Sequence, residues 1–75
     1  APLPGEIIER QETRQVIRQG INALPSKQRQ VAAMRYATDL TFQEIGEVLG
    51  LNENTVKTLF QRAKAGLRFY LRRHL

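Results

Sequence analysis

Apolar residues recur along the chain in steps of three and four, and nowhere alternate with period two for long enough to make a strand. Four helical segments follow from that rhythm. The first spans Glu6 to about Asn22 and consists mostly of good helix formers. Ile17, Ile21 and Leu24 make its stripe, with Ile7 and Ile8 upstream. Its middle (Arg10, Gln11, Glu12, Arg14, Gln15) is polar, so it is expected to pack by its ends. Ala1 to Gly5 reads as a stiff, non-helical lead-in, and Pro25 breaks the helix by disfavouring helical geometry at Leu24. The second helix is predicted from Ser26 to about Ala37, with Val31, Met34 and Ala37 on one face and Thr38-Asp39 as its end.

The third helix has the clearest start. Thr41-Phe42-Gln43-Glu44 fits a capping box, and Leu40 and Ile45 occupy the two positions of a hydrophobic staple. Ile45, Val48 and Leu49 are expected to be its buried face, and Gly50 sits where a left-handed residue ends a helix. The fourth helix starts after Asn52, a good N-cap, with Leu51 and Val56 as a second staple. Val56, Phe60, Ala63, Leu67 and Tyr70 keep one face apolar, and no proline follows Pro25, so this helix is predicted to run close to the C-terminus. The expected fold is an all-α, four-helix domain.

Only Gly50-Leu51-Asn52 joins the last two helices, which is the length of a helix-turn-helix corner. Such a corner needs a small residue at the close approach, a glycine in the turn and apolar residues to lock the pair. Gly46 supplies the first, Gly50 the second, and Ile45, Leu49, Leu51 and Val56 the third. A plain α-hairpin with incidental glycines is the simpler alternative. In a helix-turn-helix, the fourth helix enters the major groove by its N-terminal residues. Val56 and Phe60 face inward, which leaves Asn54, Thr55, Lys57, Thr58, Gln61 and Arg62 outward. Asn and Gln pair with adenine, Lys favours guanine, and Thr offers a hydroxyl and a methyl.

Charge sharpens this picture. The 75 residues carry a net charge of +5, which by itself points only to some polyanion. Residues 1–37 carry six basic and three acidic groups, net +3; residues 38–56 carry four acids and no base, net −4. Residues 57–75 carry six basic groups and no acid, net +6. Base readout is therefore expected at the start of the fourth helix, with Lys64, Arg68, Arg72 and Arg73 suited to phosphates or another acidic surface.

Enzymatic chemistry has little to draw on. The chain has no cysteine and one histidine, His74, which reads as a terminal surface residue. Ser26 reads as a helix cap, Tyr36 and Tyr70 as core-edge aromatics, and no cofactor or metal is expected. Hydrophobic residues make up 41%, enough for a small core, and no apolar run approaches the roughly 20 residues a membrane helix needs. The chain does not open with Met, and residues 1–5 are expected to be a linker remnant, with the domain over 6–75.

Residues 24–67 resemble region 4, the C-terminal promoter-reading domain of bacterial sigma-70-type sigma factors, specifically the extracytoplasmic-function (ECF) group. Three stretches carry the resemblance. They are Leu24-Pro25-Ser26-Lys27-Gln28-Arg29-Gln30-Val31; Met34-Arg35-Tyr36 with Leu40 to Gly46; and Leu49-Gly50 with Thr55-Val56-Lys57-Thr58 and Arg62-Ala63-Lys64. The resemblance implies a non-enzymatic, cytoplasmic DNA-binding domain that reads the −35 promoter element. Lys57, Thr58, Gln61 and Arg62 fall where the family contacts bases and phosphates, Arg35 falls where a DNA-backbone contact is common, and Thr41 at the corner is placed with them. It implies promoter DNA, the β-flap of core RNA polymerase and an anti-sigma factor as partners, and a monomer in isolation. Two residues depart from the pattern: Leu59 stands where the group often has Arg, and Gly46 where Ala is more usual.

Two alternatives compete. A GerE/LuxR-type output domain also has four helices and a Thr-Val-Lys, but would dimerise on palindromic DNA. A basic amphipathic helix over 57–73 lying on a membrane or an acidic protein is the other, although its apolar stripe is already needed for the core.

Overall fold

The computed structural model describes residues 4–74, with side-chain surroundings from residue 12 onward. Four helices follow in order: α1 (Pro4–Asn22), α2 (Ser26–Ala37), α3 (Phe42–Leu49) and α4 (Glu53–His74). No strand occurs among the described residues. α1 begins at Pro4 rather than Glu6, so Pro4 and Gly5 are helical and not part of a lead-in. Proline suits the first turn of a helix, where its missing N–H would have had no partner. Ala1 to Leu3, and the expected packing of Ile7 and Ile8, lie outside what is described.

α4 is the spine. Its 22 residues make a rod about 33 Å long. α1, α2 and α3 all pack on it, whereas among the described residues α1 and α3 make no contact. The molecule is accordingly a flat slab of 43 × 28 × 14 Å. Its radius of gyration is 14.1 Å, against about 11 Å for a compact chain of this length.

Two apolar clusters line the spine. Leu24, Ala32 and Ala63, with Ile21 against them, join α1 and α2 to the middle of α4. Val31, Ile45 and Val56 are fully buried and tie α2, α3 and the start of α4 together. Burial of each of these three side chains contributes about 1.5–3 kcal/mol. Phe42 and Phe60 close this cluster, with ring centroids 5.3 Å apart.

Several expected positions move. Val48 is 65% exposed, not buried. Ile45, Gly46 and Leu49 define the inward side of α3, and Val48 points about 100° away from it. Ala37 is exposed for the same reason on α2, and Ala32 takes the buried place, small enough to let α2 meet Ala63. Tyr36 is 56% exposed and lies over the cluster, its ring 5.9 Å from that of Phe60. Ser26 is not a cap: Pro25 holds the N-cap position, and Ser26 Oγ accepts instead from Gln30 Nε2 at 3.4 Å. Of the polar middle of α1, Glu12, Arg14 and Gln15 are exposed, and Tyr70 is half-buried, as expected; Arg10 and Gln11 lie outside the described side chains.

Candidate nucleic-acid interface

The corner between α3 and α4 is fixed by backbone geometry at both of its ends. Gly50 adopts φ 71°, ψ 31°, the left-handed conformation that glycine enters without penalty. This turns the chain so that the Leu51 N–H donates back to the Gly46 carbonyl at 2.8 Å, as in a Schellman motif. Leu51 then folds onto the same cluster as Ile45. At Gly46 the constraint is space: a β-carbon there would stand 2.5 Å from the Leu51 carbonyl oxygen.

Side chains complete the helix starts. Thr41 Oγ1 accepts from the Glu44 N–H at 3.1 Å, and the Thr41 N–H donates to Glu44 Oε1 at 3.0 Å. The expected capping box is thus closed from both sides. The Thr41 N–H, and secondarily the contact with its hydroxyl, hold the Glu44 carboxyl below its ordinary value, against a smaller opposing effect of desolvation. At α4, Asn52 Oδ1 accepts from the Thr55 N–H at 2.7 Å.

These caps aim the first turns of α4 outward. Asn54, Thr55, Lys57, Thr58, Gln61 and Arg62 are all exposed along them, while Val56 is buried and Phe60 half-buried on the opposite side. Asn54, Thr55, Thr58 and Arg62 line a shallow concavity of about 310 Å³, together with Asn52 and Leu59. Lys57 and Gln61 lie beside it. Leu59 gives the concavity an apolar patch where the group's usual arginine would have placed a charge. Lys57 is ion-paired, its Nζ 3.5 Å from Glu53 Oε1. Periodicity alone did not single out that partner, although a Glu four residues ahead of a Lys on a helix is a readable signal.

Arg35 and Thr41 sit apart from this row, at the junction of α2 and α3. Arg35 Nη1 donates to the Leu40 carbonyl at 2.8 Å, and its guanidinium lies 4.7 Å from the centre of the Phe42 ring. Both residues therefore build the junction, whatever else they touch. Guanidinium has five N–H donors, so Arg35 retains hydrogen-bonding capacity toward an outside acceptor.

The basic end of α4 is partly occupied by its own aromatics. Lys64 Nζ lies 5.3 Å from the Phe60 ring and the Arg73 guanidinium 5.0 Å from the exposed Phe69 ring. His74 is exposed and stacks on Tyr70, ring centroids 4.0 Å apart. Among the described residues no group of acids and histidines is placed to hold a metal, and no helix is long and apolar enough to cross a membrane.

The family described as sigma-70, region 4 matches residues 14–67, which covers all of α2 and α3, the last nine residues of α1 and α4 as far as Leu67. The chain belongs to the sigma-70 region 4 family. The match decides between the two helix-turn-helix readings in favour of region 4. Among its relatives is the ECF RNA polymerase sigma factor SigW of Bacillus subtilis, 39% identical over 70 residues, or 93% of this chain and 37% of SigW. The RNA polymerase sigma factor FliA of Pseudomonas aeruginosa is 37% identical over 67 residues, 89% of this chain and 26% of FliA. SigV of Bacillus subtilis is 34% identical over 55 residues, 73% of this chain and 33% of SigV. The chain thus spans about a third of the length of these curated relatives. No solved structure gives a significant match. The all-α region 4 architecture and the ECF-like character expected from the sequence both stand.

Proposed function

We propose that this region 4 chain reads the −35 element of promoters in the major groove and, with RNA polymerase, directs initiation of the alternative, ECF-like type. One observation carries the reading. The doubly capped, glycine-turned corner presents Asn54, Thr55, Lys57, Thr58, Gln61 and Arg62 in a single exposed row at the start of α4. Asn and Gln suit adenine, Lys and Arg suit guanine, and Thr adds contact to thymine methyls. Arg35 and Thr41, at the junction of α2 and α3, would serve the phosphates. The name of each of the three relatives places it with RNA polymerase, which supports the same partner here.

A second surface supports that partner. Ile17 and Ile21 of α1 and Ala33, Tyr36 and Ala37 of α2 line an apolar groove of about 520 Å³, with Arg14 and Arg18 at its rim. This groove lies away from the DNA row and suits the β-flap of core polymerase, and an anti-sigma factor that masks the domain would compete for it. A cytoplasmic, non-enzymatic role, monomeric until polymerase binds, follows from this reading. The test is a duplex selection with and without core polymerase, beside a pull-down on the β-flap. Selection of one asymmetric sequence with polymerase supports the proposal; selection of a palindrome by a dimer, or of no sequence, overturns it.

A further inference from the structure

Among the described residues one ion pair forms, and it lies on the exposed row of α4: Lys57 Nζ stands 3.5 Å from Glu53 Oε1, with both side chains about half exposed. Glu53 is the first residue of α4, where the helix dipole favours a carboxylate. Glu preceding Lys by four residues is the favourable order on a helix. An exposed pair of this kind is weak, so DNA can open or re-use it at little cost. A carboxylate at the leading end of a helix that faces phosphates is nevertheless unfavourable unless it meets a donor there.

The major-groove edge of a G·C pair offers such a donor. Guanine presents O6 and N7 as acceptors, and its partner cytosine presents the N4 amino group as a donor. O6 and N4 are hydrogen-bonded to each other, so they stand about 2.9 Å apart. The side chains present a donor and an acceptor 3.5 Å apart, the complementary arrangement at nearly the same spacing. We infer that Glu53 is a specificity-determining residue that acts with Lys57 as one unit: Lys57 donates to guanine O6 and N7, and Glu53 accepts from N4 of the paired cytosine. A reversed C·G pair sets the carboxylate against O6. A T·A pair also offers an acceptor beside a donor, but places the thymine methyl where Lys57 needs N7. This inference rests on the reading of α4 as a −35 reader.

The experiment is a duplex selection with the full-length protein bound to core polymerase, comparing wild type with Glu53→Gln, Glu53→Asp and Lys57→Met. Glu53→Asp keeps the charge and withdraws the carboxylate by one methylene, which separates readout from repulsion. The expected result is a loss of about tenfold in G·C preference at one base-pair position, the same position for all three variants, with the other positions unchanged. Glu53→Asp then loses that preference without binding random duplex more tightly. The inference is overturned if Glu53→Gln tightens selected and random duplexes by one common factor with an unchanged sequence profile. It is equally overturned if Glu53 and Lys57 variants relax different positions. A wild type that selects no sequence instead overturns the underlying reading of α4.

Discussion

The carbonyl oxygen of Leu51 lies 2.5 Å from the point where a β-carbon on Gly46 would stand. The obstacle is backbone, not the end of a flexible side chain. Any side chain at Gly46 therefore pushes the turn itself and moves α4 relative to α3.

Gly46→Val is expected to lower stability by about 1–3 kcal/mol, the usual cost of overpacking. In a domain this small that is a fall of about 4–8 °C in melting temperature for each kcal/mol. Thermal denaturation followed by circular dichroism checks it. A melting temperature equal to wild type would mean that the corner opens freely.

Gly50 presents the opposite case. Nothing lies within 4 Å of a β-carbon placed there, so a substitution is penalised only through its positive φ. Gly50→Val should cost at least about 1–2 kcal/mol, and Gly50→Asn noticeably less, because Asn enters the left-handed region more readily. Equal urea midpoints for the two variants would contradict this.

Acid should loosen the start of α3 in a defined direction. Glu44 has its carboxyl held below the ordinary value of 4.5 by the Thr41 N–H and then by the bond with the Thr41 hydroxyl. In that range the unfolded state binds more protons than the folded one. The contribution is therefore complete above pH 4.5 and is lost as pH falls through the lowered folded value. Melting temperatures of wild type and Glu44→Gln, compared from about pH 6 down to about pH 3, should converge as the pH drops. Thr41→Ala removes the other half of the box, the bond from the Glu44 N–H to the Thr41 hydroxyl, and should cost about 0.5–2 kcal/mol at neutral pH.

Readers and phosphate clamps should separate under mutation. Gln61→Ala is expected to cost about 1–3 kcal/mol on the selected site and much less on random duplex, if its amide pairs with a base. Arg72→Ala should weaken all duplexes alike and reduce the salt slope by about 0.9, the share of a single neutralised phosphate. Binding isotherms at several salt concentrations distinguish the two. Equal losses for Gln61→Ala on both duplexes would remove it from the readers.

Local signals in the sequence identified what local chemistry controls. The capping box of Thr41 and Glu44, the N-cap Asn52, the left-handed Gly50 and the stripe of α4 each follow from residue types at fixed offsets, and each is found as expected. Packing partners were less legible. Val48 looks as apolar as Leu49, and only the direction from which α2 and α4 approach α3 decides which is covered. Ala32 carries no hydrophobic signal of its own, yet it is the contact point with Ala63. In the site, the outward row of α4 was readable from periodicity. The tie of Arg35 to the Leu40 carbonyl was not, because it depends on how the chain turns between two helices.

The central position of α4 has an evolutionary consequence. One helix holds the domain together and, on the proposed reading, also faces DNA, yet the two tasks use separate sets of residues. Val56, Ala63 and Leu67 are buried, while Asn54, Thr58 and Gln61 are exposed and bear none of the packing. Preference for a new sequence can thus be acquired by exchanging a few exposed letters at almost no thermodynamic risk. A duplicated copy of such a domain starts life with its fold insured and its specificity open to change.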